Sequence, residues 1–156
     1  MVFRQESLDD IAFVEGLLAE GSGTVIVDVR RLGSGESVEI VISHPSGNVS
    51  IDDCVALSNS LIENAEYLER FGSETGINVM SPGLERKLTT RREIRMFSGR
   101  DVQVIFAGPG GREETLVCRL AGLTDAPAEA VVVESEGTEK SIPAADIRSI
   151  RLYFEF

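Results

Sequence analysis

Apolar residues recur at helical spacing near the start of the chain, at Leu8, Ile11, Val14 and Leu18. An apolar residue at every third or fourth position keeps one face of a helix apolar, so this spacing predicts a helix that packs on a core. Ser7 and Asp10 have the spacing of a capping box, in which both side chains satisfy free backbone N–H groups. Gly21 is expected to end the helix.

Alternation of side-chain type then predicts strands over residues 25–30 and 38–43. The connector 32–36 contains Gly33 and Gly35, which suit the backbone angles of a hairpin. Residues 44–48 combine a proline, a glycine and an asparagine, which predicts a loop. A third strand is predicted over residues 77–80.

Ser50 and Asp53 give a second capping box, which opens a longer amphipathic helix ending near Gly72. Its predicted inward stripe consists of Ile51, Cys54, Val55, Ser58, Leu61, Ile62, Ala65 and Leu68. The order helix, strand, strand, helix, strand predicts an α+β domain, with two helices packed on one face of a small three-stranded sheet.

The pattern changes after Pro82. Thr90 and Glu93 give a third capping box, at the start of one short helix that Gly99 is expected to end. Strand-like segments then occupy residues 101–107, 114–121, 130–135, 139–142 and 147–154. Residues 107–111 are typical of a hairpin tip, and residues 142–147 of a one-turn 3₁₀ connector before a last strand. Such a series of short strands predicts a small all-β barrel.

A stiff corner is predicted between the two halves. Pro82 fixes its own φ and favours an extended Ser81, while Gly83 adopts angles that other residues avoid. We predict an N-terminal domain over residues 1–84, a semi-rigid hinge over 85–89 and a C-terminal domain over 90–156. The corner residues Ser81, Pro82, Gly83 and Leu84 would set the inter-domain hinge. The alternative is an ordinary turn that ends a strand within one domain.

Composition is that of a soluble globular protein, with 42% hydrophobic and 26% charged residues. The polar N-terminus does not resemble a signal peptide, and no apolar run approaches the length of a membrane span. We therefore expect a cytoplasmic protein without membrane contact. Cys54 and Cys118 lie far apart, and we expect buried small side chains rather than a disulfide.

The formal net charge of −11 is unevenly distributed, with −9 over residues 1–88 and −2 over 89–156. Such a chain repels nucleic acid and favours basic partners unless a local basic patch intervenes. Six of the fifteen Lys and Arg residues nevertheless fall close together: Arg86, Lys87, Arg91, Arg92, Arg95 and Arg100. Two explanations stay open, a basic surface for an outside partner or pairing with the acidic N-terminal half.

No arrangement of side chains in the sequence is typical of catalysis. His44 is the only histidine and lacks partners at metal-ligand spacing, so an ordinary loop residue is expected. The acids of Asp52-Asp53-Cys54 are explained by helix capping, although a thiol- or carboxylate-dependent enzyme is a third alternative. The glycines of 108–111 lack the Lys and Ser/Thr of a phosphate-binding loop. We expect a protein that is not an enzyme and has no cofactor, metal or small-molecule substrate.

Several motifs together resemble the bacterial ribosome maturation factor RimP family. They are Ile51-Asp52-Asp53-Cys54 before a helix, the segment 79–88 with Ser81-Pro82-Gly83-Leu84 and Arg86, the phrase 97–102, and Ile142-Pro143 with Ile147. The resemblance covers nearly the whole chain in order and spacing. Met80, Asn78 and Lys87 depart from the family pattern, and they put the angle between the domains in doubt more than the fold.

The resemblance implies a KH-like topology for the N-terminal domain and an SH3/Sm-like barrel for the C-terminal one. It also implies a monomeric, non-catalytic ribosome biogenesis factor that binds the immature small (30S) ribosomal subunit and promotes its late maturation. The partner would be a basic small-subunit ribosomal protein near the decoding centre, together with ribosomal RNA as an additional contact. The six clustered bases are then candidate ribosome-binding residues.

A second hypothesis is an Sm-like regulator that binds free RNA as an oligomeric ring. The acidic total charge disfavours it. The N-terminal half also lacks the Gly-x-x-Gly loop with which a KH domain grips RNA.

Overall fold

The structure, a computed structural model, describes residues 1–19, 21–44, 49–125 and 128–155. The chain divides into two compact units. The N-terminal unit is Glu6–Pro82, and the C-terminal unit is Gly83–Phe156 together with Met1–Gln5. The boundary falls inside the predicted corner, where Gly83 has the positive φ of 77° expected of a glycine turn.

The N-terminal unit contains three helices and three strands. In chain order they are α1 (Leu8–Leu17), β1 (Val25–Leu32), β2 (Ser37–Ser43), α2 (Ile51–Ile62), α3 (Ala65–Phe71) and β3 (Gly76–Met80). The sheet order is β1-β2-β3, with β1 antiparallel and β3 parallel to β2. The predicted α+β class and the predicted hairpin are confirmed. Of the predicted loop 44–48, residues 45–48 lie outside the described part of the chain.

The helices differ from the prediction in two places. Ser7 makes no capping hydrogen bond through its side chain, and α1 ends at Leu17 rather than at Gly21. The predicted second helix is two helices, because the side chain of Asn64 accepts a hydrogen bond from the N–H of Tyr67 at 2.9 Å and starts α3. No helix within the described residues is long and apolar enough to cross a membrane.

The predicted inward stripe of the second helix is wrong at four positions. Ile51, Val55 and Ile62 are 82%, 50% and 52% exposed and Ala65 is also exposed, whereas Leu61 is fully buried. The core instead collects apolar residues from all three helices and all three strands: Ile11, Val14, Ile26, Val29, Val38, Ile40, Ile42, Leu61, Tyr67 and Phe71, with Ile77 and Val79 packed against them. One side of α2 therefore remains apolar and uncovered.

The C-terminal unit contains one short helix and five antiparallel strands. They are α4 (Arg91–Met96), β4 (Asp101–Ala107), β5 (Glu113–Thr124), β6 (Ala130–Ser135), β7 (Thr138–Pro143) and β8 (Ile147–Leu152). A 3₁₀ turn at Ala144–Asp146 precedes β8, and the glycine-rich segment joins β4 to β5, both as predicted.

The predicted closed barrel is not observed. The sheet order is β7-β6-β5-β4-β8, which leaves β7 and β8 on opposite edges of an open sheet within the described residues. The edge of β8 that does not face β4 is hydrogen-bonded to the segment 86–88. The N–H of Leu152 donates to the carbonyl of Arg86 at 2.9 Å, and the N–H of Leu88 donates to that of Ile150 at 2.8 Å.

These bonds involve the segment 85–89, which we expected to form the hinge. Leu88 is fully buried, and Lys87 forms an antiparallel bridge with Arg151. At the other end of the chain, the N–H of Arg4 donates to the carbonyl of Thr89 at 2.7 Å. The segment therefore belongs to the packed C-terminal unit, because its apolar and backbone groups are satisfied there.

Candidate functional site

Two of the six clustered bases, Arg86 and Arg91, are paired with carboxylates of their own unit. Arg86 lies against α4, where its Nε donates to Oε2 of Glu93 at 2.6 Å. Glu93 is fully buried, and its other oxygen accepts the N–H of Thr89 at 3.2 Å. The Arg86 side chain is itself only 16% exposed. It anchors residues 86–89 to α4. Arg86, which the sequence suggested as a partner-binding residue, therefore has a structural role in its own unit.

Arg91 also has a partner within its own unit. Its Nε and Nη2 donate to the two carboxylate oxygens of Glu129 at 2.6 and 3.2 Å, a bidentate pair. The Arg91 guanidinium holds the pKa of Glu129 below its usual range, and it also lies 5.1 Å from the ring centroid of Phe3. This pairing offsets the unfavourable position of Arg91 in the first turn of α4.

The other four bases differ in exposure. Lys87, Arg95 and Arg100 are exposed, and Arg92 is half-buried. Arg95 lies 3.8 Å from Asp125, and the Arg100 guanidinium lies 5.9 Å from the Phe97 ring centroid. A solvent-exposed ion pair at that distance contributes little.

Charge separates between the two units more completely than the linear sequence indicates. The N-terminal unit holds fourteen Asp and Glu residues and only three Arg residues, which gives −11. The C-terminal unit holds the remaining twelve acids and twelve bases, which gives zero. Because the boundary lies before Gly83 and Arg4 belongs to the C-terminal unit, the whole net charge of the protein belongs to the N-terminal unit.

Two of the three arginines in the N-terminal unit are engaged at a buried carboxylate. Nε of Arg31 and Nε of Arg70 each lie 3.0 Å from an oxygen of Asp10. The hydrogen bond from Arg31, supported by that from Arg70, lowers the pKa of Asp10 although burial opposes the shift. The same guanidinium groups stack on the rings of Phe71 and Phe13, at 4.5 and 4.8 Å from the centroids. These arginines therefore stabilise the unit more than they neutralise its surface.

An apolar groove lies between α2 and β3 in this acidic unit. Its volume is about 380 Å³, and its lining comes from α2, from the two residues before it, from β3 and from the residue after β3: Val49, Ser50, Ile51, Cys54, Val55, Ser58, Ile77, Asn78, Val79, Met80 and Ser81. Ile51 and Val55 form its exposed apolar wall. The sequence carried a signal for it, since the apolar stripe of α2 is wider than one sheet face covers.

Cys54 lines this groove, and the segment Asp52-Asp53-Cys54 has the predicted capping geometry. The hydroxyl of Ser50 accepts the N–H of Asp53 at 3.0 Å, and the Asp53 carboxylate accepts the N–H of Ser50 at 2.9 Å. Burial raises the pKa of the Cys54 thiol, and the Asp53 carboxylate raises it further. Both effects disfavour the thiolate that a nucleophile requires.

Cys118 is buried on β5, and burial raises the pKa of its thiol to about 11. Within the described ranges, no three His, Cys, Asp or Glu side chains group in a way that holds a metal ion.

The fold and surface define an α+β protein with an acidic unit that carries an apolar groove and a second, neutral β unit. No protein-family model matches the chain. The resemblance to the ribosome maturation factor family therefore stays a prediction.

Proposed function

We propose that this protein is a non-catalytic assembly factor that binds the immature small ribosomal subunit and promotes its late maturation. The observation that carries the proposal is the charge of −11 on a unit of 77 residues beside a unit of zero net charge. A surface of that sign attracts basic proteins and repels ribosomal RNA. The partner is a basic small-subunit ribosomal protein.

We propose a different role for each unit in binding the small subunit. The motif resemblance implies a contact through the C-terminal unit, and its exposed bases Lys87, Arg95 and Arg100 remain candidates for RNA phosphates. Arg86 and Arg91 contribute less, because each is already paired with a carboxylate. We assign long-range attraction of the basic protein to the N-terminal unit.

A finer description of the fold accompanies this proposal. We propose that the open C-terminal sheet has an SH3/Sm-like strand topology, which is supported by its order β7-β6-β5-β4-β8 and by the 3₁₀ turn before β8. We propose a KH-like topology for the N-terminal unit, supported by its αββααβ order and mixed sheet. Neither fold by itself specifies a ligand.

Co-sedimentation tests the proposal directly. We expect the purified protein to sediment with immature small subunits and not with complete ribosomes, and the association to weaken as salt is raised. Absence of association with both the subunit and its isolated proteins at micromolar concentration contradicts the proposal.

Elution size and binding to free RNA distinguish the proposed assembly factor from the alternative, a regulator that binds free RNA. An Sm-like ring elutes several-fold larger than the 16.9 kDa monomer and binds deproteinised RNA. We expect a monomer that binds such RNA weakly in comparison with basic ribosomal proteins.

A further inference from the structure

We propose that the open edge of β3 and the groove beside α2 bind one extended basic segment of a partner polypeptide, which adds to the sheet as a fourth strand. This inference deepens the proposed function, and it depends on that function only for the source of the segment. The binding mode itself is defined by the backbone of β3 and the side chains of α2.

The backbone of β3 presents hydrogen-bonding groups on its outer edge. The N–H of Gly76 donates to the carbonyl of Glu36 at 3.0 Å, so Gly76 directs its backbone groups toward β2. Direction alternates along a strand, and Ile77 and Val79 therefore direct their N–H and C=O groups away from β2. Within the described residues β3 is an edge strand, and it pairs with β2 alone.

This edge lacks the features that normally protect an edge strand. Exposed edges are commonly blunted by a charged side chain, a proline or a β-bulge. β3 has the sequence Gly-Ile-Asn-Val-Met, without a charge or a proline, and its register with β2 is continuous over all five residues. A sequence that leaves such an edge open is suited to receiving another strand.

The groove supplies side-chain recognition next to the edge. α2 packs against β3, and its residues Ile51 and Val55 stand exposed along the groove while Cys54 and Ser58 complete the wall. Side chains of an added strand alternate between the two faces of the sheet. Every second side chain of the segment therefore faces α2 and is apolar, and those between point away from the groove.

Charge decides which extended segment binds. Asp52 lies in the first turn of α2, next in the chain to the groove residue Ile51, whereas Asp53 lines a separate cavity with Leu17 and Ala56. Glu39 lies on β2 directly opposite Asn78 in the register. The unit around them carries −11, so Lys and Arg are favoured between the apolar residues and a second copy of this chain is repelled.

A synthetic peptide that alternates valine with lysine and spans the length of β3 is the probe. We expect it to bind the full chain, and a peptide that alternates valine with glutamate not to bind. Replacement of Ile51→Ser together with Val55→Ser should weaken binding about tenfold, which corresponds to the loss of two partly buried apolar contacts. Ile62→Ser is the matched control, because Ile62 is exposed on the same helix but does not line the groove, and it should leave binding unchanged.

A backbone readout distinguishes strand addition from general attraction to an acidic surface. Amide hydrogen exchange at Ile77 and Val79 should slow when the valine–lysine peptide binds. A peptide with N-methyl groups on the edge that faces β3 should bind at least about tenfold more weakly to the unaltered protein. Equal binding of the methylated peptide, of the valine–glutamate peptide or of the Ile51/Val55 variant overturns the proposal.

Three further outcomes bear on this inference, and the last two separate it from the proposed function. If the free protein elutes as a dimer with the Ile77 and Val79 amides already protected, the occupant is a second copy and the proposal is wrong. If the peptide binds as expected but small subunits do not co-sediment, the groove proposal stands and the ribosomal function fails. If small subunits co-sediment equally with wild type and with an Ile51/Val55 variant that no longer binds the peptide, the ribosomal function stands. In that case the groove is not the surface that contacts the subunit.

Discussion

Nε of Arg86 lies 2.6 Å from Oε2 of Glu93, a carboxylate whose side chain is fully buried. The two residues connect the segment after the unit boundary to the first turn of α4. A buried carboxylate without its cation is strongly unfavourable, since it has lost the solvation of water. The bond therefore fixes residues 86–89 within the C-terminal unit.

Arg86→Ala should lower the free energy of unfolding of the C-terminal unit by about 3–5 kcal/mol, because Glu93 is left buried without its ion-pair partner. Urea unfolding followed by circular dichroism measures the change. Arg100→Ala is the control, since Arg100 is exposed, and should change it by less than about 0.5 kcal/mol. Equal effects of the two substitutions would show that the buried pair does not stabilise the unit.

Local signals in the sequence predicted most elements of the fold. The Ser50 and Thr90 caps are observed, with their hydroxyl groups accepting the N–H groups of Asp53 and Glu93. Such caps depend only on neighbours within one turn, and so do the glycine hairpins. The capping box at Ser7 failed because Asp10 bonds to Arg31 and Arg70, and partners 21 and 60 residues away leave no mark in a local pattern.

The candidate site was harder to predict from the sequence than the helices and strands, because it depends on contacts between residues that are far apart in the chain. An apolar stripe predicts that a helix is amphipathic, but which of Ile51, Val55 and Leu61 is covered depends on where the sheet ends. The ion pairs of Arg86 and Arg91 with Glu93 and Glu129 likewise require the folded unit. The complete segregation of charge depends on the unit boundary between residues 82 and 83 and on the packing of Met1–Gln5 in the C-terminal unit, neither of which a local pattern indicates.

Asp10→Asn should destabilise the N-terminal unit by about 1–2 kcal/mol at neutral pH, because the charged hydrogen bonds from Arg31 and Arg70 are weakened. The pKa of Asp10 is lower in the folded than in the unfolded chain, so its contribution is present above the ordinary value of 3.8. It is lost as the pH falls through the lower folded value. The difference in unfolding free energy between wild type and variant should therefore shrink under acid.

Asp9→Asn is the control for this prediction. Asp9 lies in the same helical turn as Asp10 but is exposed, so its substitution should change stability by less than about 0.5 kcal/mol. A difference between Asp10→Asn and wild type that grows under acid would contradict the sign derived from the lowered pKa.

Cys54 and Cys118 should both react more slowly with a thiol reagent than free cysteine does at about pH 8, and Cys118 more slowly than Cys54. With a thiol pKa of about 11, Cys118 has a thiolate fraction of about one in a thousand at that pH. Cys54 is only half-buried, in the groove, so a reagent reaches it more easily than it reaches the buried Cys118, although burial also raises the pKa of its thiol. Alkylation followed by peptide mass spectrometry measures each rate. Rapid modification of native Cys54 would support an enzyme with a reactive thiol.

The position of the acidic charge, rather than its total, should control association with a basic ribosomal protein. Glu66→Gln with Glu69→Gln removes two exposed acids from α3 in the N-terminal unit, and Glu136→Gln with Glu139→Gln removes two exposed acids from the C-terminal unit. Both variants have the same net charge. The first should lower the association rate constant by about two- to tenfold at low salt, since long-range attraction originates in the acidic unit. Stopped-flow measurement at several salt concentrations should show this difference disappear as the charges are screened. Equal rate constants for the two variants at low salt would contradict the assignment of the attraction to the N-terminal unit.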